Sequence, residues 1–119
     1  MKNIKTDRAE SKRIEKGIER SILEYLAYRR IFCYKQNNSS FLIGTRFVRA
    51  FKNASGNSVC GIPDIAGYMP DGRALFIEVK RPGGKPTPDQ KIFIEKAQKA
   101  GCLAFFAYSL EDVIEKVFK

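Results

Sequence analysis

The residues able to do chemistry sit close together in this chain. Gly61-Ile62-Pro63-Asp64 sets a carboxylate at the head of an apolar run, and Phe76-Ile77-Glu78-Val79-Lys80 carries a second carboxylate with a lysine two residues on. Successive side chains of a strand alternate between faces, so Glu78 and Lys80 share one face while Ile77 and Val79 take the other. Between the two motifs lies Met69-Pro70-Asp71-Gly72-Arg73, a turn by composition. Pairing that is symmetric about Asp71 sets Asp64 opposite Glu78, with Cβ atoms about 5 Å apart on one face. A bulge in the turn would shift that register by one residue. Two carboxylates this close repel unless a cation lies between them. The pattern suits Mg²⁺ or Mn²⁺ held by Asp64, Glu78 and the backbone carbonyl of Val79. Such an ion activates a water and neutralises a phosphate oxygen. Lys80 would then orient the attacking water or stabilise the developing charge. The plain alternative is a solvated hairpin face with an ordinary ion pair.

Composition narrows the chemistry further. The chain has no histidine, which removes His-ligated zinc, a Ser-His-Asp triad and any histidine general base. Cys33, Cys60 and Cys102 are odd in number and widely spaced, so reduced, partly buried thiols are expected rather than a disulfide framework. Lys plus Arg outnumber Asp plus Glu by 22 to 13, a net charge of +9 that points to a polyanion, with nucleic acid favoured over an anionic membrane surface. The 119 residues suit one compact domain spanning 1–119, with about the first dozen residues frayed. No long apolar run suggests a membrane span, and the charged start lacks the apolar core of a secretory signal. A cytoplasmic protein, bacterial or phage-encoded within its host, is therefore expected.

The elements that must position these residues can be read in order. Apolar residues at Ile14, Ile18, Ile22, Tyr25 and Leu26 have helical spacing, which predicts a helix to about Arg30. A short strand over Ile31–Asn37 and one irregular extended segment from Ser39 to Asn53 follow, then a loop. The hairpin comes next. Thr87, Pro88 and Gln90 then supply an N-cap, a first-turn proline and a capping box for a second helix. Ile92, Phe93, Ala97 and Ala100 are read as its buried side, and Gly101 as its end. Leu103–Tyr108 reads as a strand covered on both faces, and Ser109 caps a last helix. The expected class is α/β: a mixed sheet flanked by helices in the order α-β-β-β-α-β-α.

The stretch from Gly61 to Phe93 resembles the VRR-NUC (virus-type replication-repair nuclease) family of the PD-(D/E)XK superfamily. The matching signals are Gly61-Ile62-Pro63-Asp64, Gly72, Ile77-Glu78-Val79-Lys80, Gly84-Lys85 and Thr87-Pro88 with Gln90, in order within thirty residues. The resemblance implies a restriction-endonuclease-like core and a Mg²⁺-dependent DNA phosphodiesterase. It further implies a homodimer similar to Holliday junction resolvases, with roles in DNA repair or recombination. It also implies an acidic or amide residue on the first helix near the metal. Glu19 fits that place best and Glu15 second, both lying at the edge of the apolar stripe; simple pairing with neighbouring Lys or Arg is the alternative. Gln90 is read as a helix cap that also faces the attacking water or the phosphate.

Arg46, Arg49, Lys52, Arg81 and Lys85 are candidate phosphate contacts, and Arg81-Pro82-Gly83-Gly84-Lys85-Pro86 offers backbone amides suited to following DNA. Phe41 and Phe47 would either wedge at a branch point or pack in a dimer. The favoured function is a structure-selective DNA endonuclease acting on branched DNA such as four-way junctions. The alternatives are a flap-cutting or exonucleolytic variant, and a non-catalytic DNA-binding module on the same fold.

Overall fold

In a computed structural model of the chain, the described residues are 4–36, 40–49 and 51–119, with side chains described for 7–36, 44–45 and 51–119. The order is α1 (Ile4–Tyr28), β1 (Cys33–Lys35), β2 (Ser40–Ile43), β3 (Arg46–Arg49), β4 (Ile65–Tyr68), β5 (Ala74–Val79), α2 (Pro88–Lys99), β6 (Leu103–Ala107) and α3 (Leu110–Phe118). Four strands form one mixed sheet in the order β1-β4-β5-β6. β1, β4 and β5 run antiparallel in turn, and β6 joins β5 in parallel across the α2 crossover. This is the expected α/β class.

Strand alternation builds two apolar layers. Ile65, Leu75, Ile77, Val79, Phe105 and Ala107 face α1 and α3, where Ile22, Leu26 and Val113 meet them. On the opposite face, Ile94 and Ala97 of α2 pack with Phe76, Ala104 and Phe106. The hairpin turn is as the sequence predicts: Gly72 N–H donates to the Met69 carbonyl at 2.9 Å, and Gly72 takes a φ of 94° that favours glycine. Asp71 receives the Arg73 N–H at 3.0 Å and its guanidinium at 2.8 Å, which pins the turn. Pairs such as Ile65–Ile77 and Tyr68–Ala74 are symmetric about Asp71, so no bulge intervenes.

Some expectations need correction. Helix α1 starts at Ile4, not near Ile14, and Ile14 is exposed. The first turns are charged helix formers with Asp7 favourably near the positive end of the dipole, and extending an anchored helix is cheap even without an apolar stripe. The inward residues of α2 are Ile94 and Ala97, while Ile92 and Ala100 are exposed, because α2 meets only the β5–β6 side of the sheet. The segment expected to be one irregular stretch is a hairpin, β2–β3, turning at Gly44 and forming its own two-stranded sheet. The three thiols are free and half-buried, as expected.

Gly67 shows how tightly β1 is held. A Cβ there would overlap the Phe32 carbonyl and approach Cys33 Cα to 2.8 Å. Gly67→Ala is therefore expected to destabilise the protein by about 1–3 kcal/mol, read as a lower midpoint in denaturant unfolding; an unchanged midpoint would refute the close approach.

Candidate active site

The site forms where β4 begins and β5 ends. Asp64 lies one residue before β4, and the β4–β5 register carried one step further sets it opposite Glu78. Its Oδ2 accepts the Val79 N–H at 2.9 Å, and its carbonyl accepts the Gln36 N–H at 2.7 Å. The same register sets Val79 opposite Pro63, whose ring nitrogen has no hydrogen to donate. The Val79 carbonyl thus receives no ladder bond from that position. The Gln36 side-chain amide donates to the Pro63 carbonyl at 3.0 Å, tying the end of β1 to this corner. Gln36 had no motif in the sequence to announce it.

Glu78 does not face water. It is 4% exposed, and its Oε2 is buried with no hydrogen-bond partner among the described residues. Its Oε1 accepts the Gln90 Nε2 at 2.9 Å. Gln90 also closes the capping box: its Oε1 accepts the Thr87 N–H at 2.9 Å, and Thr87 Oγ1 accepts the Gln90 N–H at 3.2 Å. Gln90 thus caps the helix, as expected, and with its amide also holds Glu78, a contact the sequence did not announce. Gly61, at φ 74°, lets the preceding loop touch this helix start, since a Cβ there would run into the Asp89 carbonyl and the Gln90 nitrogen.

The electrostatics follow from burial. Burial and the neighbouring Asp64 push Glu78 up from 4.5 to about 9, opposed by the charge of Lys80. Asp64 is raised first by burial and further by the charges of Glu19 and Glu15, while the Val79 N–H opposes this. Without a cation, Glu78 thus holds its proton near neutral pH. An orphaned buried oxygen beside a second carboxylate is a donor set that a hard, oxygen-preferring cation fits. Among the described residues no cluster of three or more His, Cys, Asp or Glu is arranged to bind a metal. A backbone carbonyl such as that of Val79 could supply a third oxygen.

Helix α1 brings both candidate acids to this corner. Glu19 is ion-paired with Lys35 of β1 at 3.2 Å, and Glu15 accepts the Arg81 N–H at 3.4 Å. Lys80, Arg81 and Lys85 line a cleft of about 410 Å³ with Asp7, Arg8, Ser11, Lys12 and Glu15. Arg8 and Lys12 were overlooked in the sequence because their segment lacks an apolar stripe. Lys52 lies elsewhere, bridged to Ser58. Arg46 and Arg49 sit on β3, and their side chains, with those of Phe41 and Phe47, lie outside the described residues.

A pH dependence follows for metal-free protein. Unfolded, Glu78 ionises near 4.5; folded, it holds its proton to about 9. Its stabilising contribution is complete below the unfolded value and is lost as pH rises through that window. The melting temperature of metal-free protein should fall from pH 5 to pH 9. Glu78→Gln, which can keep the hydrogen bond from Gln90 without a charge, should flatten that slope; an equally steep slope in the variant would count against the assignment.

Comparison with curated proteins and with solved structures gave no match. The VRR-NUC domain family matches residues 15–111, a span that contains Glu15, Glu19, Asp64, Glu78, Lys80 and Gln90. With most of its length and the whole carboxylate corner inside that match, the chain belongs to the VRR-NUC family, a nuclease-type family.

Proposed function

We propose that the protein is a Mg²⁺- or Mn²⁺-dependent endonuclease that hydrolyses phosphodiester bonds in branched DNA such as four-way junctions. The observation that carries this reading is the Asp64–Glu78 pair, with the buried, unpartnered Glu78 Oε2, two residues along the chain from Lys80, which lines a cation-rich cleft. Asp64, Glu78 and the Val79 carbonyl would hold the ion. When bound, it supplies charge neutralisation at phosphate and a more acidic water.

The chain's own residues do the rest. Gln90 fixes the rotamer of Glu78 through its amide, and the capping box fixes Gln90. Val79 N–H orients Asp64. Lys80, whose charge is felt by Glu78, stands ready to stabilise negative charge developing on phosphate. Arg8, Lys12, Arg81 and Lys85 would take flanking phosphates in the cleft. Glu19 and Glu15 add negative charge beside Asp64, with Glu19 the stronger influence. A cleft of lysines and arginines reads charge and shape rather than base sequence, which suits a branched substrate. A two-fold dimer would present two such sites to a near-symmetric junction.

With Mg²⁺ or Mn²⁺, the protein should cut a synthetic four-way junction, and a chelator should stop it. Asp64→Ala and Glu78→Ala should each lower the rate by roughly a hundredfold or more while DNA still binds. Inactivity on junction, flap, duplex and single-stranded DNA with either metal would refute the enzyme; full activity in Glu78→Ala would refute the site. Light scattering should report a dimer, and a monomer at every concentration would remove the two-site arrangement.

A further inference from the structure

A cluster of aromatic rings stands outside the core and outside the site. Phe32, Tyr34 and Tyr68 are 55%, 50% and 55% exposed. They are not scattered. Phe32 stacks on Tyr68 with ring centroids 4.8 Å apart and planes 24° from parallel, and it tilts against Tyr34 at 5.9 Å. Burying large apolar rings is favourable, so three in contact and half exposed mark a surface with a use. They are open because α2 packs on β5 and β6 and leaves the β1–β4 half of that sheet face uncovered among the described residues.

The register links this cluster to the carboxylates. Tyr34 is opposite Ala66, and the Tyr68 N–H donates to the Phe32 carbonyl at 3.2 Å. Ala66 and Tyr68 follow Asp64 at two-residue steps, and the Gln36–Asp64 backbone bond extends the β1 pairing to Asp64 itself. Directly opposed and alternate residues share a face. The rings and Asp64 therefore lie on one sheet face, with Tyr68 about 13 Å along the strand from Asp64.

Charge identifies the occupant. Between Glu24 and Asp64 the chain has no acidic residue, and it carries Arg29, Arg30, Lys35, Arg46, Arg49 and Lys52. At a net charge of +9 the chain repels a second copy of itself, whereas a polyanion with flat, stackable bases meets both that charge and rings that share a face with Asp64. We propose that Tyr34, Phe32 and Tyr68 are a stacking platform for unpaired nucleobases of the strand whose phosphate approaches Asp64. This rests on the reading that the protein acts on DNA. Stacking on aromatic rings is tolerant of sequence but requires a free base face. A fully paired duplex keeps its bases stacked internally and offers the platform nothing. The platform thus selects DNA that is open near the cut, at an end, a flap or a branch point.

The test uses the full chain without divalent metal, so that binding is read without cleavage. Fluorescence anisotropy compares a single strand, an abasic strand with the same number of phosphates, and a duplex. Tyr34→Ala with Tyr68→Ala should weaken single-strand binding about tenfold or more and leave the abasic strand and duplex unchanged. Tyr34→Phe with Tyr68→Phe should retain wild-type binding. The chain has no tryptophan, so Tyr68→Trp adds a lone reporter whose emission should be quenched by the base-bearing strand and not by the abasic one. Equal losses on all three ligands, no loss, or a wild-type dimer that the alanine pair dissociates would each overturn the platform. Base discrimination without cleavage under any metal would refute the nuclease reading and leave the platform standing; cleavage with base-blind binding would do the reverse.

Discussion

The repulsion between two carboxyl groups placed on one face at one end of the sheet is the constraint that shapes this corner of the protein. Glu78 is almost wholly buried and Asp64 half-buried, and the charge of Asp64 raises the cost of ionising Glu78. Left without a cation, the pair settles the conflict by holding a proton. In the proposed reading, such a site would trade stability of the metal-free fold for affinity toward a hard cation. Few side chains could satisfy Glu78 Oε2 from within, and none of the described ones does.

The surrounding architecture keeps that conflict from relaxing. Asp64 is gripped through the Val79 N–H, and Glu78 through Gln90. Gln90 is itself locked by Thr87, and Gly61 lets the loop before Asp64 press against the same helix turn. Pro63 removes a donor opposite Val79, leaving a carbonyl oxygen facing the corner. Helices from both faces of the sheet meet here: α2 delivers Gln90, while α1 delivers Glu15 and Glu19. Acids therefore gather in the pit, and Arg8, Lys12, Lys80, Arg81 and Lys85 gather around the cleft beside it. Cations in a cleft beside an acidic pair can guide a phosphate backbone toward it.

The sheet is also asymmetric in its cover. Among the described residues, one face carries α1 and α3 together, whereas the other carries α2 alone over β5 and β6. The uncovered half holds the Phe32–Tyr68 stack on a short edge strand kept close by Gly67. A glycine was needed there because β1 approaches β4 more closely than a side chain allows. The same asymmetry explains why Ile92, apolar and helically placed, ends on the surface: only the flank of α2 that bears Ile94 and Ala97 has a sheet to meet.

Much of the site was legible because it is local. A Pro-Asp-Gly turn fixes the hairpin register, and the register fixes Asp64 against Glu78, since pairing has a strict two-residue period. The capping box was readable for the same reason, as its bonds join residues three apart. What needed long-range packing was not readable. Periodicity could not show that α1 extends back to Ile4, that β2 and β3 pair with each other, or that Arg8 and Lys12 meet Lys85 across the cleft. Nor could it show that Gln90 serves the cap and Glu78 at once, or that Glu78 is buried rather than solvated, because burial depends on where two helices from distant parts of the chain come to rest. The sequence by itself determined which acids pair; the tertiary structure alone decided how dry their surroundings are, and dryness is what makes a carboxylate costly to ionise beside another.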